Sequence, residues 1–170
     1  MHYVVGFQFS FDGSRVALIR KKRPEWQAGL WNGIGGHVER GESAHDAMVR
    51  EFTEETGVSR QGFLWLPFAD LRTWTQGLVS FFFSFTDQVE LVRSTTDEEV
   101  RVIDLRQPSF SAIKDMLVPN VGWLIEMALS MRVVESGGKA GRELSSFMVV
   151  SETPPLIRAS LSNKKASETT

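Results

Sequence analysis

The stretch that most restricts the fold is SAHDAMVREFTEET, residues 43–56, followed by Gly57. It has helix formers throughout and no Pro or Gly inside, which predicts a helix from Ser43 to Thr56. Ser43 stands where an N-cap belongs, Asp46 occupies the capping-box position three residues on, and Gly57 supplies the stop. At about 100° per residue, Glu51, Glu54 and Glu55 fall within about one third of the circumference, on the stripe that begins with Ala44, Ala47 and Met48. A side that starts small and apolar thus turns acidic at its C-terminal end. Helices disfavour that, because the C-terminus carries partial negative charge and each Glu there costs about 0.3–1 kcal/mol. Carboxylates at i and i+4 add a repulsion of a few tenths of a kcal/mol.

Two readings of this cluster compete. One is a solvated acidic face, the common fate of Glu. The other is a set of hard oxygen donors for a divalent cation such as Mg²⁺ or Mn²⁺, which removes the repulsion. Arg50 beside the cluster either orients one carboxylate or forms an ordinary surface pair.

Strand-like runs surround the helix. Residues 3–9 and 15–20 are apolar and separated by Asp12-Gly13-Ser14, which predicts two strands joined by a tight turn. Residues 21–35 read as a loop rich in Gly, Trp and positive charge. The segments 62–71, 78–87 and 100–105 are β-branched and aromatic, as buried strands are. Residues 109–131 read as a short helix, a break at Val118-Pro119-Asn120 and a second helix ending near Met131, and 143–150 as a late strand. The polar end of the chain, 159–170, reads as a disordered tail, leaving residues 1–158 as one domain. Strands interleaved with helices around one core indicate an α/β class with a mixed sheet.

Composition narrows the partners. A net charge of −2 gives no general attraction to nucleic-acid polymers or anionic membranes. The absence of cysteine removes disulfides, thiolate metal sites and cysteine nucleophiles. The start MHYVVGFQFSFDGSRV lacks the pattern of a signal peptide and no run is long enough to span a membrane, so a cytoplasmic location is expected. The sequence leaves monomer and homodimer both open.

Spacing decides between the two readings of the acidic cluster. The stretch 36-GHVERGESAHDAMVREFTEETGV-58 resembles the Nudix box of the Nudix hydrolases, G-x5-E-x7-R-E-U-x-E-E-x-G-U with U apolar, at every specified position. Average residue frequencies give a chance occurrence on the order of one in ten million. The resemblance implies the family's α/β/α sandwich and Mg²⁺-dependent cleavage of a pyrophosphate bond in a small nucleotide. It further implies that Glu51, Glu54 and Glu55 hold metal with help from the Gly36 carbonyl, that Glu42 sits at the loop mouth, and that Arg50 orients Glu51. Glu51 and Glu54 are the candidates for general base. Many members add an acidic ligand beyond the box; here 95-TTDEEV-100 offers Glu98, with Glu99 as the alternative.

A narrower likeness concerns the substrate. Trp31-Asn32-Gly33-Ile34-Gly35-Gly36 resembles the W-N-G-x-G-G of the oxidised-purine nucleoside triphosphatases in that family, where the Asn bonds the base; by itself Asn32 also suits a turn before Gly33. The segment 114-KDMLVPNVGW-123 resembles their K-D-M-W-P-D-D-x-x-W, with Leu117-Val118 replacing a Trp and Asn120-Val121 replacing two Asp. Asn120 keeps the capacity to bond a base. Trp123 reads as core packing, and Trp26, Trp31, Trp65 and Trp74 mostly so. The run Arg20-Lys21-Lys22-Arg23 either meets phosphates, through Arg20, Lys22 and Arg23, or ends a strand with solvated charge. Together these readings lead to a nucleoside triphosphate pyrophosphohydrolase giving monophosphate and pyrophosphate, oxidised purines such as 8-oxo-dGTP among the candidate substrates. The alternatives are an ADP-ribose or dinucleotide pyrophosphatase, whose usual Pro or Tyr marker after the box is missing, and a nucleotide-sensing module without catalysis. An RNA-decapping enzyme would want a more basic surface.

Overall fold

The computed structural model describes residues 1–59, 64–73, 77–106, 108–132 and 148–151. The first two strands, β1 (His2–Ser10) and β2 (Arg15–Arg20), flank a turn in which the Asp12 carboxylate accepts from the Ser14 N–H and from the hydroxyls of Ser10 and Ser14. These bonds hold the Asp12 carboxyl well below the usual carboxylate range, Ser10 first and Ser14 next. A two-residue strand β3 (Trp31–Asn32) follows, then the helix α1 (Ala44–Thr56), β4 (Leu66–Thr73), β5 (Gly77–Thr86) and β6 (Glu99–Asp104). The chain continues through α2 (Pro108–Ile113) and α3 (Val121–Ser130) to β7 (Met148–Ser151).

Among the described residues, seven strands form one mixed sheet in the order β3-β2-β1-β5-β4-β7, with β6 on the other side of β2. β1 runs parallel to β5 over nine residue pairs, and β7 parallel to β4, while the remaining pairs are antiparallel. Alternation along the strands supplies two apolar faces. Phe7, Phe9, Leu18, Phe81 and Phe83 pack on the α3 residues Val121, Leu124, Ile125 and Ala128. On the opposite face Val4, Ala17, Ile19 and Phe82 pack on Ala47, Met48 and Phe52 of α1. The result is the expected α/β/α sandwich.

Ser43 caps α1 by accepting the Asp46 N–H at 3.1 Å, and Gly57 ends it in the left-handed region at φ 68°. The Asp46 carboxylate takes the Ser43 hydroxyl at 2.6 Å, a local variation on the reciprocal capping box.

Four expectations need correction. The strand expected over 62–71 runs from Leu66 to Thr73, because Trp65 turns under α1 to meet Phe52 and the register is irregular between Pro67 and Ala69. The loop 21–35 contains a 3-10 turn at Glu25–Gln27 and the strand β3, whose pairing with Ile19 and Arg20 is a tertiary event invisible to local pattern. Trp123 is not core: α3 buries positions 121, 124, 125 and 128, and residue 123 falls on the opposite side, 42% exposed. Trp26 is also exposed, whereas Trp31 and Trp65 are buried. Of the late strand expected over 143–150, the described part is Met148–Ser151, which forms β7. Residues 62–63, Trp74, 143–147 and the tail 159–170 lie outside the described residues, as does the domain end at 158.

Candidate active site

The site grows from a split in the sheet. β1 and β2 pair only at Gln8–Ala17 and Phe9–Val16, then part, and residues 31–38 fill the gap. β3 pairs with β2, while Ile34 bridges to Gly6 and His37 to Tyr3 on β1. Four backbone bonds tie this insert to β1, among them Val4 N–H to Gly36 O at 2.9 Å and Gly6 N–H to Ile34 O at 2.7 Å. The insert brings Gly35 and Gly36 against the last turns of α1. A Cβ on Gly35 would stand 2.2 Å from Val4 O, and its φ of 152° further favours glycine.

Arg50 organises the acidic end of α1. Its Nε donates to Glu42 Oε1 at 2.9 Å and its Nη2 to Glu42 Oε2 at 3.1 Å and to His37 O at 2.9 Å. Its Nη1 serves Glu51 Oε1 at 2.9 Å and Glu54 Oε2 at 3.1 Å. The planar fork therefore ties the loop residue Glu42 to two carboxylates of the helix. Its bonds to Arg50, and after them one from the Glu39 N–H, lower the Glu42 pKa.

Glu55 faces inward. It is 9% exposed, and its Oε2 accepts the Gly35 N–H at 3.0 Å. Burial pushes its pKa up to about 7; Lys21 and the Gly35 N–H pull against that, and the charges of Glu51 and Glu98 add to it. Glu98 is equally buried, its Oε1 accepting the Lys22 N–H and its Oε2 the Lys21 ammonium, each at 2.5 Å. Its neighbour Glu99 instead pairs with Arg101 at the surface. Of the two acidic candidates beyond the box, Glu98 is the one brought to α1.

Lys21, absent from the expected set of binding residues, is central. Its Nζ lies 2.5 Å from Glu98 Oε2 and 3.7 Å from Glu55 Oε1. Strand alternation was the available signal, since Lys21 and Arg23 line the cleft described below whereas Arg20 and Lys22 do not. Arg20 donates to Gly29 O and Lys22 pairs loosely with Asp97. Arg23 reaches the cleft wall but is 81% exposed and also near Asp97.

Among the described residues no three acidic or imidazole side chains already converge as a cage for an ion. The donor set nevertheless suits a hard divalent cation. Glu42, Glu51, Glu54, Glu55 and Glu98 are balanced by only two cationic side chains, Arg50 and Lys21, and every donor is oxygen.

A cleft of about 920 Å³ opens beside these carboxylates. Its lining includes Lys21, Gly35 and Gly36, which touch these carboxylates, and also Trp26, Asn120 and Trp123. Asn32 lies on its wall, its Oδ1 accepting the Gly33 N–H at 2.8 Å and its Nδ2 donating to Gln27 Oε1 at 3.2 Å. Asn32 thus serves the turn before Gly33, and it lines the cavity as well. Asn120 begins α3 without a side-chain capping bond.

The NUDIX domain family matches residues 3–120, which takes in the split between β1 and β2, α1 and most of the cleft lining. The chain belongs to the Nudix family. It is 51% identical over 45 residues to the oxidized purine nucleoside triphosphate hydrolase of Mus musculus, covering 26% of this chain and 28% of that one. It is 43% identical over 44 residues to the uncharacterized Nudix hydrolase YvcI of Bacillus subtilis, covering 26% and 25%. The chain thus matches about a quarter of the length of these curated relatives. Among solved structures, a MutT from a study of Aliivibrio salmonicida and Vibrio cholerae superposes with TM-score 0.56 at 20% identity, covering 76% of this chain and 95% of that one. A Francisella tularensis bifunctional NMN adenylyltransferase/ADP ribose pyrophosphatase gives 0.61 at 19%, covering 76% and 40%. These likenesses carry the Nudix fold. No helix among the described residues is long and apolar enough to cross a membrane.

Proposed function

We propose that this Nudix protein is a Mg²⁺-dependent pyrophosphohydrolase of nucleoside triphosphates, releasing the monophosphate and pyrophosphate. One observation carries the reading. One cleft is lined both by Lys21, Gly35 and Gly36, which touch the carboxylates of Glu98, Glu55 and Glu51, and by the amide of Asn120 and the rings of Trp26 and Trp123. Its volume is within the range that encloses a small ligand. The short, high-identity match to the mouse enzyme supports the same substrate class.

In this reading Glu51, Glu54, Glu55 and Glu98 hold Mg²⁺, with Mn²⁺ as a substitute. The Gly36 carbonyl already accepts the Val4 N–H, so the neighbouring Gly35 carbonyl joins it as a candidate ligand. The bound metal supplies charge neutralisation on the phosphoryl oxygens and lowers the pKa of a coordinated water. One P–O bond of the anhydride breaks and one forms to the oxygen of water, whose proton passes to Glu51 or Glu54. Arg50, bonded to both, holds them in register. Asn32 and Asn120, both on the cleft wall, are the amides proposed to meet the base edge, with ordinary and oxidised purines both as candidates. Arg23 at the cleft mouth adds positive charge toward the triphosphate.

The experiment is product analysis of the protein with Mg²⁺ and a panel of NTPs, dNTPs, 8-oxo-dGTP, ADP-ribose, NADH and a dinucleoside polyphosphate. Monophosphate and pyrophosphate from the triphosphates are expected. AMP from ADP-ribose or NADH alone would overturn the substrate class while sparing the metal-site assignment.

A further inference from the structure

We propose that Lys21 is a resident counter-cation of the carboxylate site, displaced by the divalent ion and then available to the phosphate chain of the nucleotide. The proposal rests on the metal-site reading above and adds a role for a residue that reading does not require.

The division of labour at the two buried carboxylates carries it. Glu98 has one oxygen fixed by the Lys22 backbone N–H at 2.5 Å and gives the other to Lys21. Glu55 has one oxygen fixed by the Gly35 N–H at 3.0 Å and turns the other toward Lys21 at 3.7 Å. Each carboxylate is therefore held by main chain, and each leaves one oxygen to the same ammonium. Removing Lys21 leaves both acidic groups in place with their free oxygens facing one vacated point.

The lysine is equally prepared to leave. Its backbone is pinned from both directions, Lys21 N–H to Leu30 O and Gly29 N–H to Lys21 O, each at 2.8 Å, so only the side chain has to move. That side chain is a flexible four-carbon stem with a compact charge, and it lines the cleft. A divalent ion brings two charges to oxygens that Lys21 serves with one, so it wins the exchange electrostatically. The displaced ammonium then faces a cavity meant for an anionic ligand.

The test uses the full chain without nucleotide and titrates Mn²⁺ by calorimetry. Lys21→Gln is expected to bind Mn²⁺ about tenfold more tightly than the wild type, since the competing charge is gone. Unchanged or weaker binding, the result for a fixed strut that holds the carboxylates, would overturn the proposal. Lys21→Arg keeps the charge and should stay near the wild type; an Arg variant that follows the Gln variant would also overturn it. If Lys21→Gln does not fold, Lys21→Met, which keeps an apolar stem, takes its place under the same criteria. Absence of Mn²⁺ binding to wild type and variants alike would overturn the metal-site reading and this proposal with it. With Mn²⁺ saturating, the Gln variant should bind a non-hydrolysable triphosphate analogue about tenfold more weakly; equal affinity would overturn the transfer to phosphate.

Discussion

Gly36 and Glu51 are in such close apposition that one carbon would part them. A Cβ on Gly36 would stand 2.5 Å from the Glu51 carboxyl carbon and its Oε1, and 2.6 Å from Oε2. Gly36→Ala must therefore push Glu51 off its bond to Arg50. Turnover is expected to fall about 10–100-fold, as for misplacements of about an ångström in a catalytic group. Stability should change by less than about 1 kcal/mol, because the atoms nearest the added Cβ are the end of the flexible Glu51 side chain. Steady-state kinetics and thermal melting check the two effects separately.

Arg50 donates to Glu42, Glu51, Glu54 and the His37 carbonyl together. Lysine keeps the charge but cannot reproduce the fork. Arg50→Lys should lose about 1–3 kcal/mol of stability through unpaired acceptors and reduce kcat more than it raises KM. A variant with wild-type kcat would return Arg50 to an ordinary ion pair.

Glu55 gives a pH signature in the metal-free protein. Its pKa is raised from 4.5 to about 7 in the fold, chiefly by burial, while Lys21, Glu51, Glu98 and the Gly35 N–H surround it. The folded state then holds the proton more tightly than the unfolded state does. Stability is full below 4.5, falls as pH rises toward about 7, and levels off above. Melting curves across that window should show the decline in metal-free wild type and a flatter profile in Glu55→Gln. The same variant should lose turnover by orders of magnitude in the presence of Mg²⁺ with its fold intact. Near-normal activity would remove Glu55 from the metal set.

Along the cleft wall, two truncations separate binding from stability. Trp123 is 42% exposed, so Trp123→Ala should change stability by less than about 1 kcal/mol. Its KM for purine triphosphates should rise several-fold, and an unchanged KM would leave the ring without a role in binding. Asn32→Ala removes a wall amide and the bond that steadies Gly33. Its KM for purines should rise while its Mn²⁺ affinity changes little; equal KM across purines and pyrimidines would leave only the turn role.

The helix α1 and its charges were legible in the sequence because every part of the signal is local. Ser43, Gly57 and the spacing of Glu51, Glu54 and Glu55 lie within one stretch of chain, and α1 follows them. Glu98 was legible only as one of two, since choosing it over Glu99 depends on where β6 lands against β2. Lys21 was hidden for a related reason. Its partners Glu55 and Glu98 are distant in sequence and meet it through sheet register. Trp123 reads as core packing on its helix until the face is known, and the buried positions 121, 124, 125 and 128 of α3 turn it outward. β3 carries no local strand signal, because two residues pair only when the gap between β1 and β2 is already open.

The short strand β7 lies beyond the span of the family match, at the outer side of β4. It occupies the hydrogen-bonding groups along Ala69–Arg72, in parallel register with Met148–Ser151. A sheet edge without such a cover is a template for any extended chain that drifts past. β7 is itself the last strand on that side of the sheet, so a chain shortened before residue 148 would move the edge inward and bare the groups of Ala69–Arg72 on β4 to pairing with another chain.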